Sequence, residues 1–180
     1  NASGNKIGAD ELPAVTQLFT EDYMVDFLLD NTLGAWHAGK FLSAHSALAD
    51  TAASEEDLRS AVAIPGCPWT YLRFIQKDGK WVPAAGTFDG WPKAAKDLKC
   101  FDPCMGSGHF VVAMFERLVA LRMAEEKREE GDMVAAVIRD NLFGLEIDLR
   151  CTQIGAFNLA LAVWHKVGHC TLPPMHIACS

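Results

Sequence analysis

The chain has 180 residues, half of them apolar, and a formal net charge of −7, which suits a single buried core and a single domain. Its acidity, with no basic block to offset it, argues against an unaided grip on a nucleic-acid backbone, which needs clustered Lys and Arg. No apolar run approaches membrane-spanning length and no signal sequence is visible at the start, so the composition reads as soluble and cytoplasmic.

Residues 1–16, opening on Asn1-Ala2-Ser3-Gly4-Asn5 without a methionine, read as a partly disordered lead-in. Residues 17–64 read as a helical segment. Thr20 followed by Glu21-Asp22-Tyr23 places a capping hydroxyl and acids at a helix start. Met24, Phe27, Leu28 and Leu33 form the apolar stripe of that helix, and Gly34 closes it. Trp36 to Ala63 is alanine-rich and helical, with a further cap at Ser54-Glu55-Glu56-Asp57.

Residues 65–98 form an aromatic-rich hairpin and connector. Trp69 to Ile75, then Lys77-Asp78-Gly79-Lys80, then Trp81-Val82 predicts a β-hairpin with a glycine turn. Its aromatics suit either base stacking or packing on a neighbouring element, and the lack of interleaved basic residues favours packing.

Residues 99–180 alternate strands and helices. Strands are expected over Lys99–Asp102, Leu142–Asp148 and Met175–Cys179. Helices are expected from Ser107 to near Glu130, over Met133–Asn141 and over Leu149–Lys166. That order predicts parallel pairing with right-handed crossovers, the α/β core of a doubly wound sheet that the chain end leaves incomplete. Six cysteines, at positions 67, 100, 104, 151, 170 and 179, make neither a disulfide framework nor a CxxC pair. Cys100, Cys104, His165, His169 and Cys170 lack the spacing of a zinc cluster, so reduced thiols without metal are the expectation.

Phe101-Asp102-Pro103-Cys104-Met105-Gly106-Ser107-Gly108-His109-Phe110 reads as a strand end turning through a glycine-opened loop into a helix. Gly106 and Gly108 flank Ser107 and let the backbone come close to a ligand, because no Cβ intervenes. The helix N-terminus adds unpaired N–H groups and the positive end of a dipole. Asp102, ahead of the loop, suits a ligand that carries positive charge. Ligands of open parallel sheets bind beyond the carboxyl ends of the strands, and there Glu146, ending the neighbouring strand, is able to accept both hydroxyls of a ribose. The pattern matches only part of a dinucleotide fingerprint. His109-Phe110-Val111 replaces a third glycine, and Glu146 lies far beyond the usual spacing of ~20 residues. Plainer readings stand beside these: the glycines as turn residues alone, Asp102 and Asp148 as helix caps, Phe110 as core, and His109 as a packed or solvent-facing histidine.

Asp102 to Phe110 resembles motif I of the amino-group DNA methyltransferases, which bind S-adenosylmethionine. Asn141-Leu142-Phe143-Gly144-Leu145-Glu146-Ile147-Asp148 resembles their motif II. Gln17-Leu18-Phe19-Thr20-Glu21-Asp22-Tyr23-Met24-Val25-Asp26-Phe27 resembles motif X. Motif X ahead of motif I is the order of adenine-N6 enzymes of restriction-modification and BREX-type phage-defence systems. Gly86-Thr87-Phe88-Asp89-Gly90-Trp91-Pro92 is similar to the large single-chain members of that group. The resemblance covers nearly the whole chain after the lead-in, and implies a truncated Rossmann-like methyltransferase sheet preceded by the helical segment and the hairpin. It also implies a bacterial or archaeal cytoplasm. By resemblance, Phe19 and Thr20 contact the methionine end of the cofactor. Asp102, Pro103, Gly106, Ser107 and Gly108 shape the cradle, with Phe110 as its wall. Glu146 holds the ribose, Ile147 lies against the adenine ring, and Ser180 falls where the adenine edge is read.

The family's catalytic signature is Asn, Asp or Ser, then Pro-Pro, then Tyr or Phe, and this chain has none. Leu172-Pro173-Pro174-Met175 has no polar residue before the prolines, no aromatic after them, and precedes the third strand. The resemblance therefore implies a cofactor-binding fragment that is inactive alone, with DNA contacted by regions outside it. Two other functions stay open. A nicotinamide-dependent oxidoreductase is disfavoured by the missing third glycine, and a non-catalytic interaction module would use the tryptophan-rich hairpin. A sheet edge exposed at the chain end invites pairing with a second copy.

Overall fold

The structure, a computed structural model, describes residues 20–180. Phe19 and the rest of the motif X stretch before Thr20 lie outside the described residues. Helix α1 (Asp22–Leu29) runs through a π-helical turn, Asp30–Gly34, directly into α2 (Ala35–Ala44), and α3 (Ser46–Thr51) and α4 (Glu55–Val62) follow.

This segment departs from expectation in three ways. Thr20 does not cap α1; Glu21 holds that position and makes no side-chain cap bond. Gly34 does not close the helix, because its φ of −64° and ψ of −43° continue it. Gly34 instead makes room, since a Cβ there would lie 2.6 Å from Cε3 of Trp69. The third departure is the apolar stripe: Met24, Phe27 and Leu28 are 45%, 48% and 49% exposed, while Val25, Leu29 and Leu33 face the core. Ser54 does cap α4, accepting a bond from the Asp57 amide at 3.2 Å.

The π-turn shifts the phase of the helix, as single π-turns do, and turns two consecutive polar residues toward one segment. Asp30 accepts a bond from the Tyr71 amide at 2.9 Å, and Asn31 accepts from Arg73 N and donates to Tyr71 O. Thr32 Oγ1 donates to Leu28 O at 2.8 Å, satisfying a carbonyl near the widened turn.

Strands β1 (Phe74–Lys77) and β2 (Lys80–Pro83) pair antiparallel with Lys77 opposite Lys80. Asp78 and Gly79 both have positive φ, 53° and 76°, the backbone of a two-residue type I′ turn. The strand begins later than the aromatic pattern predicts, because Trp69 itself adopts φ 54° and turns the chain inward. Trp69 is 1% exposed against Gly34. Trp81 donates its indole N–H to Ala52 O at 2.9 Å. Both rings therefore pack on the helices, the favoured of the two expectations.

The second half is a three-stranded parallel sheet in the order β3 (Cys100–Asp102), β4 (Leu142–Glu146) and β5 (His176–Cys179). Helices α5 (His109–Glu126) and α6 (Glu130–Asp140) join β3 to β4, and α7 (Leu149–Val167) joins β4 to β5. The expected alternation holds, with ends shifted by a few residues. The register sets Asp102 beside Gly144 and Glu146 beside Cys179, so β4 and β5 finish level while β3 ends two residues earlier and leaves the loop after it beside the end of β4. Fully buried Asn141 anchors the start of β4: its amide donates to Ala95 O and Leu98 O, and its Oδ1 accepts from Arg122 at 3.1 Å. Leu142 and Gly144 face α5 and α7, whereas Phe101, Phe143 and His176, level with one another by register, form the other face. Phe101 is 56% exposed there.

Candidate functional site

Beyond Asp102 the chain makes a turn whose backbone groups bond the side chains of Asp102, Glu146 and Asn158 and neighbouring carbonyls. Asp102 Oδ1 accepts a bond from Cys104 N at 3.1 Å, which bends the chain at the strand end. Burial pushes the Asp102 carboxyl up from its ordinary range, the Cys104 amide opposes this, and the charge of Glu146 adds to it. Met105 N donates to Leu145 O at 3.0 Å, tying the loop to the end of β4. The buried Met105 side chain fills the space over two glycines: a Cβ on Gly144 would lie 2.5 Å from its Sδ, and one on Gly155 would lie 3.0 Å from its Cε.

The two loop glycines do different things. Gly108 immediately precedes α5 with φ 83°, and a Cβ there would sit 2.9 Å from the Gly155 Cα of α7. Backbone cannot move aside easily, so Gly108 is required both for its conformation and for a close helix contact. Gly106 has φ 53°, yet a Cβ there would meet nothing within 4 Å. Its bare side faces open space. Asn158 on α7 donates to Ser107 O at 2.9 Å and completes the support.

Glu146 reaches back to the same loop. Its Oε2 accepts Gly106 N–H at 2.7 Å, and its Oε1 accepts Ile147 N–H at 2.8 Å and Asp148 N–H at 3.1 Å. The amides of Asp148, Gly106 and Ile147 hold this carboxyl below its ordinary range. Ile147 next to it is 81% exposed. Asp148 caps α7, accepting Arg150 N–H at 2.8 Å, and its bonds from the Arg150 side chain and amide bring its carboxyl down to about 2. Ser180 N donates to Glu146 O at 2.9 Å, placing Ser180 just past the same strand end.

The other expected residues lie around this centre. Asp102, Pro103 and half-buried Phe110 border an apolar cavity of about 700 Å³ between α1, Trp91 and the free edge of β3. Phe110 thus walls a cavity, although on the flank of the loop away from Glu146. Ser107 and Gly108 border a second, more polar cavity of about 580 Å³ with Asp22, His109 and Arg117. Thr20 is half-buried, and His109 Nε2 lies 3.0 Å from Asp22 Oδ1, so the start of α1 abuts the start of α5. His109 therefore joins elements, an arrangement its bare position in the sequence does not signal.

Arg117 is a further residue missed from sequence. Its guanidinium on α5 pairs with Asp26 at 2.7 Å and with the 2% exposed Asp30 at 3.2 Å. Asp26 and Asp30, four apart on one helical stretch, were the available signal. Burial pushes the Cys67 and Cys100 thiols up to about 12 and about 11. Among the described residues no helix is long and apolar enough to cross a membrane.

No protein-family model matches the chain. Over 155 residues, 85% of the chain, it is 30% identical to the adenine-specific methyltransferase PglX of Lacticaseibacillus casei. Over 158 residues, 88% of the chain, it is 24% identical to the adenine-specific methyltransferase BrxX of Escherichia coli O9:H4. A third match, 31% over 90 residues, is to the adenine-specific methyltransferase PglX of Streptomyces coelicolor. The chain spans 12% of the length of each of the first two relatives.

Proposed function

The chain is a homologue of the adenine-specific methyltransferases PglX and BrxX, and we propose that it is the part of such an enzyme that binds S-adenosylmethionine. The observation that carries this is the meeting of Glu146 and the Gly106 turn at 2.7 Å, beyond the carboxyl ends of two neighbouring parallel strands. Open α/β sheets bind ligands at that place. The residues fit the cofactor: the bare side of Gly106 faces open space, a carboxylate stands beside it, and exposed Ile147 offers an apolar surface for an adenine ring. When bound, the cofactor supplies a sulfonium methyl group. Glu146 positions its ribose, Asp102 and the Gly106–Gly108 turn its methionine end, and the resemblance assigns Phe19 and Thr20 to that end as well.

The finer assignment is methyl transfer to adenine N6 in DNA, within a Rossmann-like sheet of the phage-defence type. The chain carries no Asn, Asp or Ser followed by Pro-Pro and an aromatic residue. A polar side chain and a proline carbonyl at that signature would orient the adenine amine. We therefore assign this chain cofactor binding without transfer. DNA contacts fall to other parts of the methyltransferase.

Isothermal titration of the 180-residue chain with S-adenosylhomocysteine tests the site, with heat expected for the unchanged protein and affinity at least about tenfold weaker for Glu146→Ala. Equal affinities would remove Glu146 from the site, and detectable methylation of adenine in duplex DNA by this chain alone would overturn the division of labour.

A further inference from the structure

Glu146 is engaged within the protein by more than its expected ligand role explains. An ionised carboxylate offers about four lone-pair directions, two on each oxygen. Ile147 N–H and Asp148 N–H take both on Oε1, at 2.8 and 3.1 Å, and Gly106 N–H takes one on Oε2 at 2.7 Å. The Ile147 and Asp148 bonds are local to the end of β4. The Gly106 bond spans forty residues of sequence and joins two strands' ends.

The rest of the loop has its own supports. Met105 is tied to Leu145 O, Ser107 O to Asn158, and Gly108 N to Met105 O at 2.8 Å. Within this loop, Gly106 sits in left-handed backbone with nothing near the position of a Cβ, unlike Gly108. Glu146 is the acceptor for its amide.

We propose that Glu146 is a positioning residue for the glycine turn: its Oε2 fixes the Gly106 peptide, and one acceptor direction is left for one ligand hydroxyl. The second half of that statement rests on the cofactor assignment above; the first does not. Two consequences follow. A ribose donates one strong bond to Glu146 instead of two, unless an amide bond yields. Binding at Oε2 is also felt directly by the Gly106 peptide, so occupancy of the ribose site and the shape of the turn are coupled.

Glutamine separates positioning from packing. It matches glutamate in length but has one acceptor oxygen, its other arm being a donor. Facing two local amides, that oxygen stays with Ile147 and Asp148, and the NH₂ group then opposes Gly106 N–H. NMR of the ligand-free chain reads this residue by residue. In Glu146→Gln the Gly106 amide proton is expected to move upfield and exchange about tenfold faster, while Ile147 and Asp148 amides stay in place. In the unchanged chain, the Gly106 amide is expected to titrate together with the Glu146 carboxyl, below the ordinary glutamate range, because the bond persists until that carboxylate protonates. A Gly106 amide indifferent both to pH and to Glu146→Gln overturns the proposal. Should the variant fail to fold, the titration of the unchanged chain decides it alone.

Adding adenosine, 2′-deoxyadenosine and 3′-deoxyadenosine then tests the cofactor assignment separately. Removing one hydroxyl should weaken binding much more than removing the other. Absence of any nucleoside-induced shift counts against the site while leaving the ligand-free result intact.

Discussion

The N-terminal helical half and the strand ends of the parallel sheet are held together in different ways. Around α1 and the π-turn, side chains carry the structure: Trp69 lies under Gly34, and Arg117 bridges Asp26 and Asp30. At the strand ends the loop's backbone amides are what is held, bonded to the carboxylates of Glu146 and Asp102 and to neighbouring carbonyls. Buried side chains gain the hydrophobic and packing terms that stabilise a domain. Backbone-held loops leave side chains and glycine surfaces accessible, which a ligand site requires. Substitutions in the first region should therefore cost stability, and those in the second should cost binding.

The largest expected effect is Trp69→Ala. Removing a 1% exposed indole should destabilise the chain by about 4 kcal/mol in urea denaturation. Next comes Arg117→Met, which leaves the buried Asp30 without its countercharge and should cost about 3 kcal/mol by the same measurement. A stable Met variant would mean that the Tyr71 amide suffices for Asp30.

The two loop glycines sharpen the contrast within the site. Gly108→Ala combines left-handed backbone with a Cβ 2.9 Å from the Gly155 Cα, so a loss of about 2 kcal/mol in thermal unfolding is expected. Gly106→Ala carries only the backbone strain, about 1 kcal/mol, and should act mainly on cofactor affinity. Equal destabilisation by both would show that the open side of Gly106 is occupied by protein.

The smallest expected effect on stability is the contribution of the two half-buried acids at the end of β4 to pH dependence. Glu146 and Asp148 are held below their ordinary ranges in the fold. Each therefore contributes stability above the unfolded carboxylate range that is lost as pH falls through its folded value. For Asp148 that window runs down to about 2. Acid titration monitored by circular dichroism should show a shallow loss there, diminished in Asp148→Asn.

Much of the sheet was legible in the sequence. Short apolar runs ending in Asp102 and Glu146, separated by long helical stretches, admit little besides parallel strands with crossovers. The glycine loop and the Ser54 cap were legible because each rests on residues a few positions apart. The burial pattern of α1 was not. Met24, Phe27 and Leu28 have helical spacing, but which face is buried depends on where α5 and the Trp69 segment lie, and only the phase of Leu33 after them is set by the π-turn.

The site divides in the same way. Residue type and order alone determined that a glycine turn follows one strand, that an acid ends the next, and that Asp148 caps the helix after it, because turns, caps and strand ends obey local rules. Only the tertiary structure decided that Gly108 is required by the approach of Gly155, that Phe110 walls a cavity on the far flank, and that the Glu146 carboxylate bonds the Gly106 amide at 2.7 Å. Those contacts join residues tens of positions apart, and a sequence pattern carries no distance between groups that only the packed sheet brings together.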